Sequence, residues 1–202
     1  MPQAERKDVY KVYDEIAAWF LQNRDLRLIE KGYLDEAIDL LPDKASALDL
    51  GCGTGKPILQ YLLNRGLQVT GVDASVRMLE MAKENFPVVD FILQDMRLLH
   101  LGKKFDLLIA WHSFFHLPNE DQPAVFDLFE EHILTGGILI FTSGTDHGEA
   151  WGMNGGENLF HASLDADAYG RLLHQHHFEV LKHHINDPDC GGATVWVAKY
   201  RS

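Results

Sequence analysis

Two cysteines, Cys52 and Cys190, are all that 202 residues contain. Two thiols make neither a disulfide framework nor a cysteine-based zinc cluster, and a reducing cytoplasm is the expected compartment. Basic charge is short as well. Eighteen Lys and Arg stand against 30 Asp and Glu, a net charge of −12, with no Lys/Arg run. Binding to nucleic acid draws on a basic stripe that displaces counterions from phosphates, and docking on anionic lipid draws on the same charge. Neither partner is expected. No apolar run approaches the roughly 18 residues of a membrane span. The opening MPQAERKDVY is polar, without the apolar core of a secretory signal.

What is present is ordinary globular material, 46% hydrophobic and 24% charged. It is enough to bury a sizeable core in one compact unit. Apolar residues Val9, Val12, Tyr13, Ile16, Ala17 and Phe20 recur at helical spacing and predict a helix over 9–30, interrupted at Gly32. A second helix is expected over 33–41, stopped by Pro42. Residues 1–42 thus read as a helical cap or lid and 43–202 as the main domain. From 45 onward short apolar runs alternate with helical patterns. Strands are expected at 45–50, 67–72, 88–93, 105–110, 137–142, 178–185 and 194–200. The helices fall at 57–64, 75–85, 121–134 and 165–175. Such alternation predicts an α/β fold with a mostly parallel sheet covered on both faces. Only a turn-like segment, 186–192, joins the last two strands, so they should pair antiparallel. The glycine-rich stretch 143–162 reads as a long loop.

The chemistry concentrates where the first strand ends, in Leu48-Asp-Leu-Gly51-Cys-Gly53-Thr-Gly55-Lys-Pro57. Glycines there permit positive φ and let a ligand approach the backbone. A dinucleotide site favours G-x-G-x-x-G; here the spacing is G-x-G-x-G, and Lys56 stands where its third glycine belongs. Asp49 would repel a pyrophosphate but suits a cationic ligand. Asp73 closes the second strand, 22 positions after Gly51, where a carboxylate can take both hydroxyls of a ribose. Asp95 closes the third and can accept from an adenine amino group.

With these three acidic strand ends in place, the sequence resembles the class I S-adenosylmethionine (SAM)-dependent methyltransferases. The likeness is to small stand-alone bacterial enzymes of the ubiquinone/menaquinone- and trans-aconitate-methyltransferase kind, over about 45–142. The resemblance implies a Rossmann-like seven-stranded sheet, order 3-2-1-4-5-7-6 with the last strand antiparallel. It implies SAM as cofactor and S-adenosylhomocysteine as product. It assigns Gly51, Gly53 and Gly55 to the methionine end, Asp73 to the ribose, and Asp95 and Met96 to adenine. The full expected cofactor set adds Tyr13, Asp49, Cys52, Ala74, Met78 and Ala110. Met78 is equally readable as core and Tyr13 as plain packing, and Cys52 reads as a packing residue rather than a nucleophile.

On the acceptor side, Ala110-Trp-His112-Ser-Phe-Phe-His116 follows the fourth strand. His112 or His116 is a candidate general base, or simply a histidine bonded to a carbonyl. Trp111, Trp151, Asn154, Glu157 and His161 are candidates for substrate contact. Asp187 joins them because the last turn should lie on the cofactor rim, although turn chemistry alone would also explain it. Several late histidines, among them His174 and His177, have no carboxylate or cysteine at ligand spacing, and no metal is expected. The reading is methyl transfer to an O or N atom of a small molecule, by a monomer or homodimer. A protein or peptide methyltransferase and a non-catalytic SAM-binding protein are the alternatives.

Overall fold

The structure, a computed structural model, describes residues 6–202. The first five residues of the polar N-terminal stretch and of the expected cap lie outside it. Helices α1 (Val9–Asn23) and α2 (Lys31–Ile38) precede strand β1 (Ser46–Leu50). Then follow α3 (Ile58–Asn64), β2 (Gln68–Asp73), α4 (Val76–Asn85), β3 (Asp90–Leu93) and β4 (Phe105–Ala110). The chain continues with α5 (Gln122–His132), β5 (Ile133–Ser143), β6 (Gly148–Asn154) and β7 (Glu157–Ser163). It closes with α6 (Ala166–Gln175), β8 (Phe178–Asp187) and β9 (Ala193–Tyr200).

Seven strands form one sheet in the order β3-β2-β1-β4-β5-β9-β8. Counting only these strands, this is the expected 3-2-1-4-5-7-6. The pairs among β1 to β5 are parallel, and β9 runs antiparallel to both β5 and β8. Strand side chains alternate between faces. Ala47, Leu107, Ile109, Ile138, Ile140, Val195 and Val197 therefore face one core, with Leu34, Leu59 and Leu62 from α2 and α3. Leu48, Leu50, Leu108, Leu139, Phe141 and Trp196 face the other, against Phe126 and Phe129 of α5 and Tyr169 of α6. Both faces are covered, which is why the strands read as continuous apolar runs. No helix among the described residues is long and apolar enough to cross a membrane.

Three local expectations are corrected. Helix α1 stops at Asn23, because Arg24 is extended and Asp25 accepts the Arg27 amide at 2.9 Å in a local turn that competes with helix. Gly32 does not interrupt a helix; it sits in the first turn of α2, where a glycine is tolerated. The segment 143–162 is no irregular loop. Most of it forms the β6–β7 hairpin, with Trp151 opposite Phe160 and the turn Gly155-Gly156 at φ +60° and +91°. A two-glycine connection supplies the positive φ that a tight hairpin needs.

The hairpin is anchored at its base. Tyr169 donates to Gln122 Oε1 at 2.6 Å, and Gln122 Nε2 donates to the carbonyls of Leu117 and Ala162 at 2.8 and 3.0 Å. Its tip reaches α1, where the Gly155 backbone packs on Ile16 and Trp19. On the opposite side of α1, Asp14 accepts from Ser75 Oγ at 2.7 Å and from the Arg77 amide at 3.0 Å. Helix α1 therefore spans the carboxyl rim of the sheet, from α4 to the hairpin.

Candidate active site

Between this bridge and the sheet lies a cavity of about 510 Å³, within the range of small-molecule sites. Its floor is the glycine turn. Gly51 and Cys52 donate to the Val72 carbonyl at 2.8 and 3.1 Å, which folds the turn across β2. Gly51 has φ +75°, and a Cβ there would stand 2.3 Å from Ser113 Cβ. Only glycine admits both the backbone angle and the approach. Gly53 meets nothing within 4 Å, so its bare backbone opens on the cavity it lines.

Asp73 secures the turn from the side. One oxygen accepts the Gly53 amide and the other the Ser75 amide, both at 2.8 Å. Burial raises its pKa, while the backbone donors pull it down. Asp73 lines the cavity, and each carboxylate oxygen has capacity for a further hydrogen bond, which suits vicinal hydroxyls. Ala74 and Met78 line the wall beside it, and Met78 is also fully packed. Asp95 and Met96 line the far end. The Asp95 carboxylate is held by Arg97 through Nε at 3.0 Å, and Arg97 reaches Asp121 at 2.8 Å.

Asp49 lies on the α2/α3 face of β1, beneath the turn and behind the wall. Among the described residues no group hydrogen-bonds its carboxylate. Burial pushes its pKa up to about 7, with Asp73 adding to the effect and Arg24 opposing it. Arg24 follows the end of α1 and enters the cavity wall. Its Nε is buried with no hydrogen-bond partner among the described residues. The Arg24 guanidinium thus stands close enough to the Asp49 carboxylate to act on it electrostatically, at one end of the site.

Opposite the turn, β4 leads into an aromatic segment. His112 takes φ +51°, unusual for a residue with a Cβ, and its amide donates to Thr142 Oγ1 at 2.9 Å. Its imidazole lines the cavity, and burial lowers its pKa to about 4. His116 is engaged on both nitrogens. Nδ1 lies 2.8 Å from the Phe160 carbonyl, which can only accept, so Nδ1 carries the proton. Nε2 then accepts the Tyr13 hydroxyl at 2.9 Å. Burial lowers the pKa of His116 to about 3 and raises that of Tyr13 to about 12. The two candidate bases are therefore unlike: His116 ties α1 to the hairpin, and His112 presents a neutral ring to the cavity.

Trp111, Asn154 and His161 also line the cavity. Other expected positions do not. Gly55 packs on the Phe86 ring, where a Cβ would come within 2.8 Å, and Ala110 is buried in the core. Trp151 packs edge-on against Phe160 outside the wall, and Glu157 is exposed at the hairpin tip. Asp187 is buried, accepting from the Tyr33 hydroxyl and from the Asp189 amide at 3.0 Å. Cys52 does line the cavity, and burial raises its thiol well above its usual value, which suits packing rather than nucleophilic attack. Sequence reasoning missed Phe20, Gln94, Met153 and Leu159 as lining residues. Phe115 lay inside the aromatic run already singled out, and Arg24 lay with Tyr13 and Trp19 on the segment expected to act as a lid, without a role of its own. Among the described residues no three His, Cys, Asp or Glu side chains converge as metal ligands.

The sheet order, the glycine turn and the acidic strand ends together define a Rossmann-like methyltransferase fold. Residues 47–137 match the family model described as a methyltransferase domain. Trans-aconitate 2-methyltransferase from Rhizobium rhizogenes is 34% identical over 94 residues, 46% of this chain and 36% of its own. The dTDP-3-amino-3,4,6-trideoxy-alpha-D-glucopyranose N,N-dimethyltransferase of Streptomyces venezuelae is 29% identical over 119 residues, 54% of this chain and 50% of its own. The chain spans about half the length of the curated relatives it matches. Among solved structures, SAM-bound CalS10, an amino pentose methyltransferase from Micromonospora echinaspora, superposes with a TM-score of 0.72 at 19% identity, covering 93% of this chain and 96% of its own. The resemblance to class I SAM-dependent methyltransferases is borne out.

Proposed function

We propose that the protein is a SAM-dependent methyltransferase acting on a small organic molecule in the cytoplasm. The observation that carries this reading is convergence: the glycine turn, Asp73, and Asp95 with Met96 all border one cavity roofed by α1 and the hairpin. Asp73 would hold the ribose hydroxyls, and Met78 and Met96 would flank the adenine. Asp49 and Arg24, of opposite charge at one end of the site, suit the ammonium and carboxylate of the methionine end. SAM held there would supply an electrophilic methyl carbon with a neutral thioether as the leaving group.

The chain's own work is positioning and exclusion of water. The Tyr13–His116–Phe160 chain of hydrogen bonds fastens the roof in place. Residues up to 42 act as the cap, with α1 as the part that covers the cavity. His112 is the group suited to take a proton from the acceptor. A roofed cavity and a strongly acidic chain favour a small acceptor over nucleic acid or a protein side chain. The relatives' names include both an amino-sugar and a trans-aconitate enzyme, so they leave O and N acceptors open.

Calorimetric titration with SAM, S-adenosylhomocysteine and 5′-methylthioadenosine tests the reading. Micromolar binding of the first two is expected, abolished by Asp73→Ala. Arg24→Met should weaken S-adenosylhomocysteine roughly ten- to a hundredfold, the loss of one charged contact, and leave methylthioadenosine unchanged. A folded protein that binds neither SAM nor S-adenosylhomocysteine would refute it.

A further inference from the structure

The charges that line the cavity are unevenly distributed. Asp73 and Asp95 stand at the β2 and β3 ends, and Arg97 is neutralised by Asp95 and Asp121. Lys56 sits beside the glycine turn, and Lys7 lies 3.7 Å from Asp121. Arg24 belongs to the Asp49 end. The remaining wall, under the hairpin, contributes no charged side chain of its own, and the nearby cation is Arg24, whose charge helps to lower the pKa of His112. The wall's polar groups include Asn154, the imidazoles of His112, His116 and His161, and the Tyr13 hydroxyl that bonds His116. Burial lowers the pKa of all three histidines, so they are neutral at pH 7.

The same wall is aromatic. Phe115 is at its centre, with ring centroids 5.7 Å from His112, 4.9 Å from His116 and 5.3 Å from His161. The imidazoles are inclined to the Phe115 ring by 55°, 66° and 39°, and the faces and edges of such a wall suit stacked and edge-on contacts with another aromatic ring. His116 is engaged on both nitrogens, so the polar groups open to a ligand are the neutral imidazoles of His112 and His161 and the Asn154 amide, which suit ring nitrogens, carbonyls and hydroxyls. An ammonium brought here would leave water without a carboxylate to meet it, and a carboxylate would find no cation once Arg24 is committed to the cofactor. Either transfer is costly.

We propose that the methyl acceptor is an uncharged planar molecule, a heteroaromatic or phenolic ring, seated against Phe115 and His161 beneath the hairpin. This rests on the assignment of the turn side of the cavity, including Arg24, to SAM. Leu159 and Met153 would close over the ring, and Asn154 would read its polar edge.

Saturation-transfer NMR on the full chain, with and without S-adenosylhomocysteine, tests the assignment. The probes are resorcinol and uracil (neutral), benzylamine and glucosamine (cationic), and benzoate and tricarballylate (anionic). The neutral pair should bind roughly tenfold tighter than either charged pair, about 1.4 kcal/mol. Asn154→Asp, nearly isosteric, should raise benzylamine binding by a similar factor, a response that a bystander position would not give. A wild-type preference for amines or carboxylates overturns the proposal. So does the absence of binding by every probe to protein that S-adenosylhomocysteine saturates. Failure of S-adenosylhomocysteine itself to bind is a separate signal and strikes the cofactor reading, while the probe order on unliganded protein still reports on the hairpin wall.

Discussion

Asp49 gives the sharpest quantitative handle. Its carboxyl is buried and without a hydrogen-bond donor, and its pKa is raised from 3.8 to about 7 by desolvation and the neighbouring Asp73. A folded-state pKa above the unfolded one means that the folded protein holds a proton the unfolded chain releases. Stability is therefore lost as pH rises from about 4 to 7, and the loss is complete above 7. At about 1.4 kcal/mol per pH unit, the gap corresponds to about 4 kcal/mol. Asp49→Asn keeps the shape and removes the ionisation. In a domain of this size the ligand-free variant should melt about 10 °C above wild type at pH 8. The difference should shrink toward zero near pH 4. Asp73 and Glu30 are also pushed up by burial, but both remain in the variant, so the difference between the two proteins isolates Asp49. Cofactor binding should respond in the opposite sense. Wild-type affinity for SAM should rise with pH up to about 7 and flatten above it, because the bound cation favours the carboxylate. The variant should bind weakly at every pH. Differential scanning calorimetry across pH 4–8, with parallel SAM titrations, reads both quantities. Superimposable melting curves for the two proteins would refute the reasoning.

The glycine turn and the roof offer two further checks. Gly51→Ala should lower the melting temperature and abolish SAM binding, since a Cβ at φ +75° meets Ser113 Cβ at 2.3 Å. Loss of binding with an unchanged melting temperature would contradict the clash. Tyr13→Phe removes the donor to His116 Nε2 and leaves a buried acceptor unpaired, at a cost of about 1–3 kcal/mol. Amide exchange of Phe160 and Leu159 should accelerate in this variant, whereas exchange in β1 should not change.

Much of this was legible in the chain. The strand-and-helix alternation, the antiparallel final pair and the acidic strand ends followed from periodicity and from where a ligand can approach bare backbone. The hairpin was not, because glycines that set a two-residue turn also read as a loop when the pairing partner is unknown. Helix α1 appeared longer than it is, because apolar spacing does not register the Asp25 turn that ends it. The two histidines after β4 were indistinguishable in sequence. The Phe160 carbonyl and the Tyr13 hydroxyl, distant in the chain, separate them.

Sequence by itself determined the fold class and the half of the cavity built from the ends of β1, β2 and β3. Those features depend on residue types at fixed local spacing: glycine where φ must be positive, a carboxylate where a parallel strand ends, alternation where both faces are buried. Tertiary structure decided the rest: Arg24 entering the wall, Gly55 and Asp187 turned to packing and to the Tyr33 contact, and an uncharged aromatic face opposite the turn. Burial and hydrogen-bond partners control those outcomes, and both arise from contacts between segments that the chain keeps far apart.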